Sequence, residues 1–366
     1  MPVAERILLR GYDHVEFYVG NAKQAAHYYR TAFGFRPVAY AGPETGVPGR
    51  ASYVMAQGSI RFVLTAGLAP DHPAVLHQAA HGDGVRSIAF AVDDVEAAYR
   101  SLVAHGATPV SEPTEAHDPD GAVITASIAA YGDTIHTFVQ RTGYRGSFLP
   151  GYARVEPVAG APATGLRAVD HVVANVDGTM DEWSRYYAEL LGFSELVHFD
   201  DSQIATDFTA LRSRVMWDGN GAVKLPINEP AEGKRTSQIT EYLDFYRGPG
   251  VQHLALATDD IVATVQALRA NGVEFLDTPN SYYELQRERL DWSHIGVDVD
   301  VLAGLGILVD VDERGYLLQI FTQPVEDRPT VFYEIIERRG CEGFGVGNFK
   351  ALFESIEREQ ARRGTL

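Results

Sequence analysis

Asp13-His14-Val15 near the start of the chain and Asp170-His171-Val172 in its middle open two copies of one module. Tyr28-Tyr29 and Gly34-Phe35 follow the first; Tyr186-Tyr187 and Gly192-Phe193 follow the second at nearly the same interval. Further on, Gly82-Asp83-Gly84-Val85-Arg86-Ser87 answers Gly248-Pro249-Gly250-Val251-Gln252-His253, and the two runs end in Asp93-Asp94 and Asp259-Asp260. At one matched position the first copy carries Ser87 and the second His253. A duplication whose halves differ by one histidine points to the second half as the working one.

The matched offsets widen along the chain, from 157 at His14/His171 to 166 at Gly84/Gly250 and 183 at Gly132/Gly315. Growth is therefore expected around 217–248 and 280–306, as loops, where sites are elaborated on a constant scaffold. Each copy reads as strand, helix and several strands, twice over. Gly11–Val19 alternates as a strand, Asn21–Phe33 has helical spacing stopped by Gly34, and Ala51–Met55 with Ser59–Thr65 reads as a hairpin. Ser87–Val92, a helix over Asp94–His105 and strands near Val123–Ala130 and Thr134–Gln140 complete the first copy. Ala168–Val176 restarts the cycle, with helices over Asp181–Leu191 and Asp260–Asn271. Pro157, Gly160, Pro162 and Gly165 mark 151–165 as a linker between a domain over 1–150 and one over 166–366. From Asn348 onward, Phe349, Leu352, Phe353 and Ile356 share one face of an amphipathic helix.

Composition excludes several functional classes. A net charge of −18 argues against nucleic acid or an anionic membrane as partner. Cys341 stands alone and cannot form an internal disulfide, which fits a reducing cytoplasm. Residues 1–20 contain no apolar leader core, and no apolar run approaches the roughly 20 residues of a spanning helix.

His171 and His253 sit on corresponding strands of the second half and can face one cavity. A carboxylate for the same cavity is expected from Phe332-Tyr333-Glu334-Ile335-Ile336-Glu337. Glu334 alternates with Phe332 and Ile336 on an apolar face, where an ionised group costs several kcal/mol unless paired or metal-bound. Glu337 falls on the other face beside Arg338-Arg339 and reads as a solvent or salt-bridge residue. Two histidines and one carboxylate form the facial triad of non-haem Fe(II) oxygenases, with three positions left open.

Repeated βαβββ units resemble the vicinal oxygen chelate architecture, an α+β fold of two domains whose curved mixed sheets surround a cavity. Within it the chain resembles the 4-hydroxyphenylpyruvate dioxygenase family over essentially its whole length. The resemblance is carried by Pro226-Ile227-Asn228-Glu229-Pro230, Ser237-Gln238-Ile239, Gly250-Val251-Gln252-His253 and Gly315-Tyr316-Leu317-Leu318-Gln319-Ile320-Phe321-Thr322. Asp327-Arg328-Pro329-Thr330 and Gly343-Phe344-Gly345-Val346-Gly347-Asn348-Phe349 complete it. It implies Fe(II) held by His171, His253 and Glu334. Ser213, Asn228 and Gln238 are implied as the polar network for a phenol, with Gln252 and Gln319 lining the cavity. Pro226, Phe321, Phe332, Phe344, Asn348, Phe349 and Leu352 are implied to surround the substrate. The implied substrates are 4-hydroxyphenylpyruvate and O2, the products homogentisate and CO2, and the C-terminal helix a lid. A homo-oligomer, dimer or tetramer, is expected. The resembling 4-hydroxymandelate synthases act on the same substrate at the benzylic carbon, and tend to lack the Pro-Ile-Asn-Glu-Pro and Asp-Arg-Pro stretches kept here. The sequence departs from the family's pattern at Tyr333, Val346 and Leu225.

Overall fold

The computed structural model describes residues 7–156, 162–199 and 209–365. The first half runs β1 (Leu9–Tyr18), α1 (Ala22–Ala32), β2 (Arg36–Ala41), β3 (Arg50–Gln57), β4 (Ile60–Gly67), α2 (Pro73–His81), β5 (Gly84–Val92), α3 (Val95–Ala104), β6 (Pro109–Asp118), β7 (Gly121–Ala129), β8 (Ile135–Gln140) and a short β9 (Ala153–Arg154). The second runs β10 (Leu166–Asn175), α4 (Met180–Leu191), β11 (Ser194–Phe199), β12 (Ala210–Trp217), β13 (Lys224–Ala231), α5 (Gln238–Tyr246), β14 (Gly250–Thr258), α6 (Ile261–Ala270), α7 (Asn280–Arg289), α8 (Val299–Leu305), β15 (Leu308–Asp312), β16 (Gly315–Phe321), β17 (Phe332–Arg339) and α9 (Phe349–Arg363).

The strands form two mixed sheets, ordered β6-β7-β8-β5-β1-β4-β3-β2-β9 and β11-β12-β13-β10-β14-β17-β16-β15. Apart from β9, the second order is the first read backwards, strand for strand. The central pairs also agree: β1/β5 and β10/β14 are antiparallel, while β5/β8 and β14/β17 are parallel. The repeated aspartates earn their place as helix caps. Asp94 accepts from Ala97 N at the start of α3, and Asp260 from Ala263 N at the start of α6.

Two readings of the sequence change. The growth over 280–306 is largely helical: α7 and α8 bury Tyr282, Tyr283 and Leu302, and Asp298 caps α8. Gly315 opens β16, so its counterpart is Gly121 at the start of β7, not Gly132. Gly132 serves the junction between halves instead. Its φ is +56°, and a Cβ there would lie 2.3 Å from the Pro249 carbonyl oxygen.

One apolar core runs through both halves. The expected linker is tied to the first half at its end, where Thr164 hydrogen-bonds Gln57 and the Phe33 carbonyl. Among the described residues no helix is long and apolar enough to cross a membrane. Tyr333, one of the departures from the family pattern, is fully buried on β17 against Phe33 and Phe62 of the first half. Its hydroxyl lies 2.6 Å from that of Tyr29, so each phenol satisfies the other. Tyr29→Phe or Tyr333→Phe alone should strand a buried hydroxyl, at a cost of about 1–3 kcal/mol. The double variant should lose no more than either single one, as read by denaturant unfolding; additive losses would contradict the pairing.

Candidate metal centre

Three adjacent strands bring the ligand set together. His171 on β10 pairs across from Ala255 on β14, and Ala255 pairs across from Glu334 on β17. His253 lies two residues before Ala255 on the same face. Strands lie about 4.8 Å apart, so His171 and Glu334 approach from two strands away over a residue that is only a methyl. The Glu334 Oε2 atom is 3.1 Å from His171 Nε2 and 3.5 Å from His253 Nε2. All three residues are buried, and the three can offer one ligand atom each within 4.8 Å of one another.

The electrostatics follow from that burial. Burial pushes the Glu334 carboxyl up, but His171 and His253 outweigh it and hold the pKa at about 2. Burial likewise opposes the charged form of His171, yet Glu334 and Asp170 raise its pKa above the ordinary value. Burial lowers that of His253. A buried anion facing two imidazole nitrogens, in a cluster of N and O donors, fits a divalent transition metal. Both rings are oriented for it. His171 Nδ1 meets Asp170 Oδ1 at 2.8 Å, and His253 Nδ1 meets Gln252 Oε1 at 2.9 Å. With Nδ1–H donated outward, each Nε2 turns its lone pair toward Glu334.

Asp170 is held in turn by Arg338, whose guanidinium donates to both carboxylate oxygens at 2.8 and 2.9 Å. Burial disfavours the charge on Asp170, but His171 and Arg338 keep its pKa well below the usual carboxylate range. A strand irregularity at Asp170, between the Val169–Leu256 and His171–Ala255 pairs, lets adjacent side chains serve the arginine and the cavity. Arg338 also donates to the Gly343 carbonyl and lies 5.3 Å from the Phe344 ring, which packs 5.1 Å from His171. The ligand, its support and the start of the tail thus form one connected unit.

The first half repeats the support without the ligands. Asp13 pairs with His14 Nδ1 at 2.7 Å and with Arg141 at 2.8 Å, and Phe148 packs 5.0 Å from His14. The positions of His253 and Glu334 are taken by Ser87 and Thr137, which hydrogen-bond each other at 2.8 Å.

The cavity beside the ligands is lined by Ser213, Pro226, Asn228, Gln319, Phe321, Phe344 and Leu352, and also by Val173, Phe199 and Val215. Val173 and Val215 stand two residues from His171 and Ser213, so strand alternation could have found them. Gln238, Gln252 and Phe332 line a separate cavity instead, although Phe332 stacks on His253 at 4.7 Å. Asn348 is fully buried and accepts from the Tyr282 hydroxyl at 2.6 Å, anchoring the tail. The Phe349 side chain lies outside the described residues. Glu337 is buried rather than solvated: it pairs with Arg339 at 2.6 Å and accepts from Ile261 N at the start of α6. Sequence reading missed the Asp170–Arg338 pair, whose only signal was the repeated Asp-His.

Losing this support should act through the metal. Arg338→Gln should weaken metal binding by about 10–100-fold, while Arg141→Gln, its counterpart in the first half, should leave it unchanged. Iron titration against a competing chelator reads both; equal losses would remove the distinction between halves.

The comparisons agree with this geometry. Residues 11–129 and 168–299 match the family model described as Glyoxalase/Bleomycin resistance protein/Dioxygenase superfamily. A 4-hydroxyphenylpyruvate dioxygenase of Yarrowia lipolytica is 50% identical, over 98% of this chain and 94% of its own. That of Dictyostelium discoideum is 48% identical, over 98% and 100%. A solved triple mutant of 4-hydroxymandelate synthase from Streptomyces coelicolor superposes with a TM-score of 0.85 at 33% identity, covering 98% of this chain and 100% of that one. With two sheets of one topology, a buried His-His-Glu cluster in the second and relatives of this identity across nearly its full length, the chain belongs to the 4-hydroxyphenylpyruvate dioxygenase family of that superfamily.

Proposed function

We propose that the protein converts 4-hydroxyphenylpyruvate and O2 into homogentisate and CO2, with Fe(II) held by His171, His253 and Glu334. The single observation that carries the reading is the buried cluster of these three residues beside a cavity lined by Asn228, Pro226 and Ser213. A ferrous ion held there would supply open coordination positions for a keto acid and O2, and the electrons that O2 activation requires. The chain's own residues do the rest. Asp170 and Gln252 fix the imidazoles. Phe321, Phe344 and Leu352 exclude water from the reacting centre. Ser213 and Asn228, paired across β12 and β13, offer polar groups for the phenol on the opposite side of β10 from Gln319. Gln238 and Gln252, which line a separate cavity, act indirectly in this reading, Gln252 through His253.

The C-terminal helix serves as the closing element. The cavity is about 50 Å³, room for a few waters rather than an aromatic keto acid. In this reading the Phe344 and Leu352 wall moves to admit the substrate. Gly345 is the natural point of movement: its φ is +72°, and a Cβ there would lie 2.5 Å from Gln319 Oε1. The helix is docked by Ser355 on the Asp277 carbonyl and by Arg363 on Glu241, so opening breaks a defined set of contacts. The protein is further proposed to work in the cytoplasm as a homo-oligomer.

The 4-hydroxymandelate synthase reading is favoured by the structural similarity. It is opposed by the Pro226–Asn228 segment at the cavity wall and by the higher identity of the dioxygenases. Iron-loaded protein given 4-hydroxyphenylpyruvate in air should yield homogentisate; 4-hydroxymandelate as the product would select the rival. His171→Ala, His253→Ala and Glu334→Ala should each abolish turnover and deplete iron, while His14→Ala should retain both. Leu352→Ala, which thins the wall without removing an anchor, should lower the homogentisate formed per O2 consumed. Unchanged coupling would remove the tail from the chemistry.

A further inference from the structure

A second cluster of metal-ligating side chains lies at the junction of the two halves, away from the centre described above. His77 and His81 of α2 and Asp133 of the turn between β7 and β8 can offer one ligand atom each within 4.8 Å of one another. We propose that this cluster binds a divalent transition metal of the zinc type, which staples α2 to that turn beside α5 of the second half.

The two histidines are four residues apart on a helix and so share one face, the spacing by which a helix presents two imidazoles to one cation. Both are buried, while Asp133 is exposed and gives the ion a route in. His81 is already oriented as a ligand. Its Nδ1–H donates to the Tyr246 carbonyl at 2.5 Å, the outer hydrogen bond that metal-bound histidines typically make. That bond fixes Nε2 as the free nitrogen, and Nε2 faces Asp133 Oδ2 at 3.1 Å. An imidazole lone pair and a carboxylate at this distance repel unless a cation, proton or metal, joins them. His77 contributes the second observation. It is 4% exposed, and its Nδ1 has no hydrogen-bond partner. Burial and the neighbouring His81 push its pKa down to about 4, so it is a neutral imidazole at physiological pH.

Tyr246 of α5 closes the cluster from the second half, stacked on His81 at 4.5 Å with its hydroxyl 3.3 Å from His77 Nε2. Two imidazoles and one carboxylate suit zinc, with water completing a tetrahedron. Arg86, which donates to the Asp133 carbonyl, and Arg328, which donates to the Ala80 carbonyl beside His81, are nearby charges that oppose a cation.

The test uses iron-loaded protein dialysed against a small excess of zinc chloride, with iron and zinc both counted per chain. One zinc per chain is expected with the iron retained, and with it a rise in thermal unfolding temperature. Asp133→Asn, which changes an exposed side chain and does not threaten folding, should lose both the zinc and the rise, as should His81→Gln. Homogentisate formation by both variants should equal that of the parent. No zinc uptake by the parent, uptake only in exchange for iron, or equal uptake by the parent and Asp133→Asn would overturn the site.

Discussion

A glutamate buried in the middle of an apolar strand is the constraint on which the second half depends. β17 is buried from Phe332 to Ile336, and Glu334 sits inside that run. Left alone, an ionised carboxylate there would cost several kcal/mol. His171 and His253 compensate it from two different strands, and each needs its own partner to aim the correct nitrogen. Those partners then need support, which Arg338 gives to Asp170. The order β10-β14-β17 is what makes this possible, because it sets all three ligands beside one methyl group, Ala255. A different strand order with the same sequence would strand the charge.

The duplication isolates which parts of this arrangement are scaffold and which are chemistry. Both halves keep the Asp-His pair, an arginine clasping the aspartate and a phenylalanine against the histidine. Only the second keeps the other two ligands. In the first, Ser87 and Thr137 hydrogen-bond each other, beside a cavity of about 220 Å³ that His14, Glu16 and Phe148 line. The Asp-His-Arg unit therefore stands in the first half without the second histidine and the glutamate. The candidate metal site exists only where His253 and Glu334 are added to it.

Much of this was legible in the sequence because the repeat preserves turn, cap and strand residues at fixed intervals. The strands bearing His171 and His253 and the capped helices α3 and α6 follow from local spacing. What escaped depends on long-range placement or lacks a pattern. Asp170 and Arg338 are 168 residues apart, and nothing local pairs them. β6 is an exposed, mostly polar edge strand without alternation, so periodicity cannot reveal it. Glu337 reads from sequence as a solvent or salt-bridge residue, and its pairing with Arg339 bears out the second. Its carboxylate is nevertheless buried at the N-terminus of α6, a position set by tertiary packing. Gly132 looked like a repeat marker, but its conformation answers to a contact with Pro249 in the other half.

The central claim, that one metal centre in the second half does the work, is tested most directly by anomalous diffraction at the iron edge from crystals of the iron-loaded protein. The account predicts an iron peak bounded by His171 Nε2, His253 Nε2 and the Glu334 carboxylate, and none beside His14. Iron at any other set of side chains, with the His171–His253–Glu334 cluster vacant, would contradict it.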